Sequence, residues 1–347
     1  MIWVELGISV VKITLVLLVV LTAVAYLTYA ERRVSAFIQD RIGPNRVGPF
    51  GLLQPLADGA KFMFKEDIIP RDASKALYIM APAFSLVTAL AALAVIPIGY
   101  GFETSLFGSL SEPIFINFQI ADVNIGVLYI LAIGSLSVYG IVLGGWASNS
   151  KYSLLGGLRG AAQMISYELA MGLSILGVIA ITGTVNLNEI IEAQSKVWFM
   201  IPQFFGFLIF LIASFAETNR LPFDMPEAES EIVAGYHTEY SSMKFAMFFM
   251  AEYTHMIVVS SVLVCLFLGG WYPLPFGGWF GIDIERYWIL PPLVFLGKVA
   301  FLLFFFIWVR FTIPRFRYDQ VMNLGWKVLL PIAVANLLIT SVVLLFL

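Results

Sequence analysis

Three glutamates and a lysine stand in the most apolar parts of this chain. Glu168 and Glu252 lie inside long apolar runs, Glu217 closes another, and Lys298 sits twelve residues before Arg310 in a fourth. An ionisable group inside a bilayer costs ~2.5–3.5 kcal/mol on insertion scales, so each needs a function or a partner. Carboxylates held in a low-dielectric site exchange protons near neutral pH. Joined by water, they form a proton relay. Three carboxylates against one internal lysine leave charge unpaired, which favours the relay. A structural alternative pairs Glu252 or Glu168 with Lys298 and so fixes helix packing. His255 is three residues past Glu252, on the same helical face, and reads as a packing histidine.

Residues 217–244 add a second acidic feature. Glu217, Asp224, Glu227, Glu229, Glu231 and Glu239 face only Arg220 and Lys244 in charge. Such a run is usually a solvated face. Here Leu221, Pro222, Phe223, Met225 and Pro226 interrupt it, which points to packing against something. A divalent-cation site is one alternative, but the alternating pattern of a calcium loop is missing. A proton antenna fits better, because crowded carboxylates raise one another's proton affinity.

The surrounding elements follow from composition. The chain has 347 residues, 60% hydrophobic and 12% charged, against ~25% charged in globular proteins. Too few charges remain to cover a soluble surface, so this is an integral membrane protein. The net charge of −3 leaves no nucleic-acid footprint. One cysteine, Cys265, and two histidines, His237 and His255, exclude a disulfide framework, an iron–sulfur ligand set and a haem pair. No metalloprotease, hydrolase, P-loop or dinucleotide motif is present.

A bilayer core needs ~20 apolar residues per helix. Eight segments qualify, at roughly 4–29, 77–99, 124–147, 160–182, 197–217, 245–269, 288–310 and 327–346. The fold expected is an all-α bundle of eight transmembrane helices with interfacial helices, a single membrane domain over 1–347. The odd-numbered loops, about 30–76, 148–159, 218–244 and 311–326, carry sixteen Lys and Arg when Arg310 and Lys327 at the edges of the last are included; the even ones carry two. The positive-inside rule puts the odd loops in the cytoplasm and both termini on the outer, periplasmic side.

In the first odd loop, Ile-Gly-Pro-Asn-Arg-Val-Gly-Pro at 42–49 is a stiff, turn-rich segment. Leu52, Leu53, Leu56, Ala60, Met63 and Phe64 then recur at helical spacing, opposite Gln54, Asp58, Lys61 and Lys65. This predicts a short helix lying in the interface plane.

The chain resembles the family of the H, or first, membrane subunit of respiratory complex I. The likeness runs through Ala30-Glu31-Arg32-Arg33, Gln39-Asp40-Arg41-Ile42-Gly43-Pro44-Asn45-Arg46-Val47-Gly48-Pro49 and Gly51-Leu52-Leu53-Gln54-Pro55-Leu56-Ala57-Asp58. It continues through Gly145-Trp146-Ala147-Ser148-Asn149-Ser150-Lys151-Tyr152 with Arg159 and Ile165-Ser166-Tyr167-Glu168. The fifth loop matches in Ala216-Glu217-Thr218-Asn219-Arg220-Leu221-Pro222-Phe223-Asp224, and the seventh in Arg310-Phe311-Thr312-Ile313-Pro314-Arg315-Phe316-Arg317-Tyr318-Asp319-Gln320. Four long motifs in order cover nearly the whole chain. Arg33 stands where lysine is often expected, and the charge is kept.

The resemblance implies a membrane subunit of the proton-pumping NADH:quinone oxidoreductase in a bacterial cytoplasmic (inner) membrane or, alternatively, a mitochondrial inner membrane. The lack of a transit peptide fits a bacterial or organelle-encoded chain. Its substrate is ubiquinone or menaquinone, with FMN and iron–sulfur clusters only in partner subunits. Those partners are the cluster-carrying and quinone-pocket subunits of the peripheral arm and the small neighbouring membrane subunits. No catalytic residue or metal site is assigned. Arg32, Arg41, Phe50, Asp58 and Phe223 are expected at the quinone chamber. Glu168, Glu217, Asp224, Glu227, Glu229, Glu231 and Glu252 are expected to couple reduction to proton movement. Arg220, Lys298, Arg310, Arg315 and Arg317 are expected in charge pairing and subunit interfaces.

Three rivals are weighed against this. A hydrogenase- or formate-linked membrane complex shares the implied fold, but the full first loop favours the quinone version. A stand-alone secondary transporter should show two inverted halves with broken helices, and none is visible. A self-sufficient intramembrane enzyme would need a nucleophile–base pair or metal motif.

Overall fold

Backbone N–H and C=O groups in lipid must be satisfied within their own segment, so long apolar runs become helices. The computed structural model describes residues 2–104, 114–275 and 288–346. Its helices are α1 (Ile2–Ile38), α2 (Gln54–Phe64), α3 (Lys75–Ala92), α4 (Gly126–Ala147), α5 (Lys151–Thr182), α6 (Leu187–Ala193), α7 (Phe204–Glu217), α8 (Glu229–Ile232), α9 (Ser242–Phe267), α10 (Leu290–Thr312), α11 (Tyr318–Asn323) and α12 (Leu330–Leu344). Among the described residues, seven helical segments are long and apolar enough to cross a membrane. The chain is a helical integral membrane protein.

The segment expected to span at 197–217 differs. Only Phe204–Glu217 is helical there, about 21 Å long at 1.5 Å per residue, short of a ~30 Å hydrocarbon core. Its first residues are turns. They contain Pro202, and Gln203, whose side chain donates to Thr340 and accepts from Asn336 of α12. The expected all-α fold is present, with one short ribbon added among the described residues. Phe102–Thr104 (β1) and Ile114–Ile116 (β2) pair antiparallel, Phe102 opposite Ile116. This ribbon follows the end of α3, where backbone need not satisfy itself within one helix.

Several helices run beyond their apolar stretch. α1 continues to Ile38 and carries Glu31, Arg32 and Arg33 in its last turns. α5 begins at Lys151, nine residues before the expected span. The last span begins at Tyr318, with one π turn at Leu324–Leu329 between α11 and α12. These extensions bring charged residues of the loops back over the bundle.

The core is built by α3, α4, α5, α7 and α9, with α10 and α12 packed outside. Among the described residues, Trp271, Tyr78, Tyr167, Phe210, Phe267, Phe295 and Phe306 are the largest fully buried side chains. Glycine lets α4 and α5 approach closely: a Cβ on Gly145 would overlap the Ser153 carbonyl. The short amphipathic helix predicted from residue 52 onward is present as α2. None of its residues is buried, and Leu56, Met63 and Phe64 are exposed. It is tethered to the start of α9 by Ser242 Oγ donating to the Phe62 carbonyl and by Lys244–Asp67 at 2.9 Å.

Candidate functional site

The site grows from two adjacent residues on α1. A helix turns ~100° per residue, so neighbours point apart. Arg32 faces outward and pairs with Asp58 of α2 at 2.6 Å. Asp58 also accepts from Gln54 at 3.1 Å. Glu31 faces inward and is 7% exposed. It accepts from Arg310 Nη1, from Arg220 Nη1 at 3.3 Å and from the Tyr253 hydroxyl at 2.7 Å. Arg220 also ion-pairs from Nε to Glu252 Oε1 at 2.5 Å and lies over the Tyr253 ring at 4.3 Å. Burial pulls the Arg220 guanidinium down in pKa, but Glu252, Tyr253 and Glu31 outweigh it and hold it cationic. Glu31, Arg220, Glu252 and Arg310 thus form a buried quartet of two anions and two cations.

Next to the quartet is a cavity of about 30 Å³, lined by Glu217, Glu227, Glu252, His255, Tyr236 and Ser137 among others. That volume holds about two waters. Glu217 Oε2, His255 Nε2 and Ser137 Oγ face no hydrogen-bonding group of the described protein residues. Water can therefore bond several groups here at once. Glu168 lies beyond Glu217. It accepts from Ser135 Oγ on α4, and a Cβ at the adjacent Gly134 would stand 3.7 Å from Glu217 Oε1. Glu168 also contributes to the electrostatic field at Glu217.

The loop over this cavity, residues 218–241, is held from several sides. Gln163 of α5 is fully buried and donates to the Ala216 and Phe223 carbonyls, each at 2.7 Å, and to Asn219 Oδ1 at 3.2 Å. Tyr240 stacks on Tyr78 of α3 with ring centroids 4.1 Å apart, and the Tyr78 hydroxyl donates to the Glu239 carbonyl. Gly235 adopts a φ of 58°, where a Cβ would overlap the Pro226 carbonyl. Arg315 pairs with Asp224 at 2.5 Å and Arg159 with Glu231 at 2.5 Å.

Loop electrostatics follow burial. Asp224 is pushed up to about 6 by burial, against the pull of Arg315. Burial, then Glu252 and Asp224, raise Glu227 well above the ordinary carboxyl value. Burial lowers His237 to about 4, so it is neutral at physiological pH.

The acidic loop therefore divides. Asp224 and Glu227 turn inward, whereas Glu229 and Glu231 are exposed on and around α8. The residues expected at the quinone chamber divide too. Arg32, Asp58 and Phe50 lie together: the Phe50 carbonyl accepts from Tyr29 at 2.6 Å, one turn before Arg32 and Arg33. Phe50 itself is exposed at a φ of 54°. Arg41 is exposed just past the end of α1. Phe223 is 4% exposed, packed between Tyr167 and Phe316.

Lys298 pairs with neither Glu252 nor Glu168, so the expected pairing with it is not formed; Glu252 pairs with Arg220 instead. Its ammonium donates to the Leu268, Gly270 and Tyr272 carbonyls at 2.5–2.9 Å and lies 4.1 Å from the Trp198 ring. The cation satisfies the carbonyl end of α9 instead, where the helix dipole favours it. Arg220 and Arg310, expected to pair the acidic loop and hold partner subunits, turn inward to Glu31 and Glu252. Arg317 is exposed at the N-terminus of α11, and its backbone N–H donates to Gln320. Among the described residues, no three His, Cys, Asp or Glu side chains converge on a metal position.

Sequence reasoning missed Glu31, Tyr253 and Gln163 as site residues. Glu31 had a signal: it is a carboxylate on the helical continuation of the first span. Gln163 had none, because its partners are mostly backbone carbonyls.

The family model described as NADH dehydrogenase matches residues 11–341. The chain is 51% identical over 330 residues to an H-type subunit of the NADH-quinone oxidoreductase of Cytophaga hutchinsonii, covering 95% of this chain and 94% of that one. It is 53% identical over 318 residues to the H-type subunit of the NADH-quinone oxidoreductase of Rhodospirillum rubrum, covering 91% and 88%. It is 51% identical over 335 residues to NADH-ubiquinone oxidoreductase chain 1 of Chondrus crispus, covering 96% of each.

Proposed function

The chain belongs to the NADH dehydrogenase family of NADH-quinone oxidoreductase H subunits, and on that premise we propose that it forms part of the quinone chamber of the assembled enzyme and passes the result of quinone reduction to a proton path. The carrying observation is the placement of Glu31 and Arg32 on one turn of α1. Arg32 reaches the interfacial helix through Asp58, and Glu31 reaches Arg220, Arg310 and Tyr253. One short piece of backbone thus links an apolar, membrane-facing entrance to the buried carboxylates.

Exposed Phe50, Leu53, Leu56 and Met63 make an apolar border suited to an isoprenoid tail. Quinone reduction takes two electrons and two protons. Arg32 and Arg41 are placed to stabilise the reduced anion. The electrons come from a partner subunit, which carries the clusters. Negative charge arriving near Arg32 competes with Asp58 for it. The perturbation reaches Glu31 through α1 and shifts the balance of Arg220 between Glu31 and Glu252. Glu227 and Glu217, at the hydrated cavity beside Glu252, take up or release a proton in response. Glu168 continues the path towards neighbouring subunits.

Exposed Glu229, the Arg159–Glu231 pair, Arg315 and Arg317 form a cytoplasmic surface suited to docking the peripheral arm. Eight crossings, with α7 as a short fifth one, put both termini outside and this surface inside. The host membrane is the bacterial cytoplasmic membrane, or its mitochondrial counterpart.

Inverted membrane vesicles carrying Glu217→Gln or Glu168→Gln test the coupling role. NADH-driven acidification of the vesicles should fall in both. Wild-type pumping and quinone reduction in both variants reject it.

A further inference from the structure

We propose that the chain binds one anionic phospholipid on the outer half of α1, its phosphate on Lys12, ten residues in from the helix start, and one acyl chain in the groove between α1 and α10. The groove has a volume of about 280 Å³ and is lined by Val16, Val20 and Ala23 of α1, Phe295 and Val299 of α10, and Phe118 of the segment before α4. The one hydroxyl in its wall, Ser261, is already spent on the Ile257 carbonyl at 2.8 Å. The slot offers a ligand only hydrocarbon, so what enters it is a chain and not a headgroup.

The headgroup position is given by Lys12. Lys12, Val16, Val20 and Ala23 follow one another at spacings of four, four and three, which puts them on one face of the helix. The Lys12 ammonium donates to the Gln119 carbonyl at 3.4 Å. Phe118 and Ile120, on either side of Gln119, line the groove. The cation therefore stands at the groove's mouth. Among the described residues it pairs with no carboxylate, and an ammonium carries three donors.

Depth decides the occupant. Lys12 to Ala23 is eleven residues, about 16 Å along the helix, which is about half of a ~30 Å hydrocarbon core. A groove with a cation at the top and one leaflet of apolar wall below matches a single phospholipid. A neighbouring transmembrane helix would need contact through both leaflets. A quinone tail lacks an anion for Lys12, and Arg32, at the proposed quinone entrance, is about 30 Å further along α1.

The test uses the whole purified complex in nanodiscs of phosphatidylethanolamine and phosphatidylglycerol, with a phosphatidylglycerol probe that cross-links from its acyl chain on illumination. Cross-links should map to residues 15–23 and 295–303. Loss of one surface cation is worth about 1 kcal/mol, so Lys12→Gln should reduce labelling there about fivefold. Lys12→Arg should retain it. A diacylglycerol probe with the same chains, lacking the phosphate, should also label about fivefold less by the same reckoning. Ala300→Phe, at an exposed position on the groove's rim, should abolish labelling while the NADH:quinone reductase rate stays at wild type. Equal labelling by the two probes, indifference to Lys12→Gln, or no labelling of these segments in the native complex would each overturn the proposal. If the Ala300→Phe complex does not assemble, the Lys12→Gln and two-probe comparisons decide alone.

Discussion

Arg220 ion-pairs with Glu252 at 2.5 Å while its other arm reaches Glu31 at 3.3 Å, so one guanidinium from the loop after α7 joins α1 to α9. With Arg310 on the far side of Glu31, charge balances within the quartet. Glu217 and Glu227, which line the cavity beside it, form no ion pair among the described residues.

Removing Arg220 alone leaves two anions against one cation in a buried site. Breaking a buried pair from one side typically costs about 3–5 kcal/mol. Arg220→Gln should therefore lower the amount of assembled complex on native gels. Arg220→Gln combined with Glu252→Gln removes one charge of each sign and should recover much of the lost assembly. Equal loss in the single and double variants would contradict the pairing.

Glu227→Gln should behave differently from Arg220→Gln. It removes an acid whose charged form burial already disfavours, so folding should be unaffected or improved. Proton pumping per NADH oxidised should fall, read from a pH-sensitive dye in inverted vesicles. Pumping at the wild-type ratio would remove Glu227 from the path.

The Arg32–Asp58 pair is exposed enough to contribute little to stability: its side chains are 51% and 24% accessible, and such pairs contribute about 0–1 kcal/mol. Arg32→Gln should leave thermal unfolding of the complex nearly unchanged. Its effect should appear in the KM for quinone, which should rise several-fold with reductase activity otherwise intact. A large loss of thermal stability with an unchanged KM would make Arg32 a structural residue.

The pH response of the acidic loop should centre on Asp224. Its folded pKa of about 6 lies above the ordinary 3.8. The folded loop therefore binds this proton more tightly than the unfolded chain does. Asp224's contribution to stability is greatest below the ordinary value and falls as pH rises through about 6. Below pH 6 Asp224 is neutral and Arg315 loses its ionic partner. A carboxylic-acid infrared band titrating near pH 6, absent in Asp224→Asn, is the expected signature; a band titrating near the ordinary value would refute the shift. His237 carries the opposite sign, since its lowered pKa of about 4 favours the fold as pH rises towards 6.5.

By itself the sequence determined that this is a helical membrane protein, because apolar runs of this length without enough surface charge have no other stable home. It located seven of the spanning helices and the amphipathic α2, since both signals are local and periodic. It singled out Glu168, Glu217 and Glu252 through the cost of a charge in lipid, which needs no knowledge of neighbours. Only the tertiary structure decided which charges meet. Glu31, Arg220, Glu252 and Arg310 come from separate elements, up to 279 positions apart, and pairing at that range leaves no periodic trace. Lys298 shows the same limit from the other side. Its charge demanded a partner, yet the partner was a set of backbone carbonyls at the end of α9, and every residue type carries that group. Likewise Glu227 and Glu229 are two residues apart in one acidic run, and only the packing of the loop against α5 and α9 turns the first towards the cavity and leaves the second at the surface.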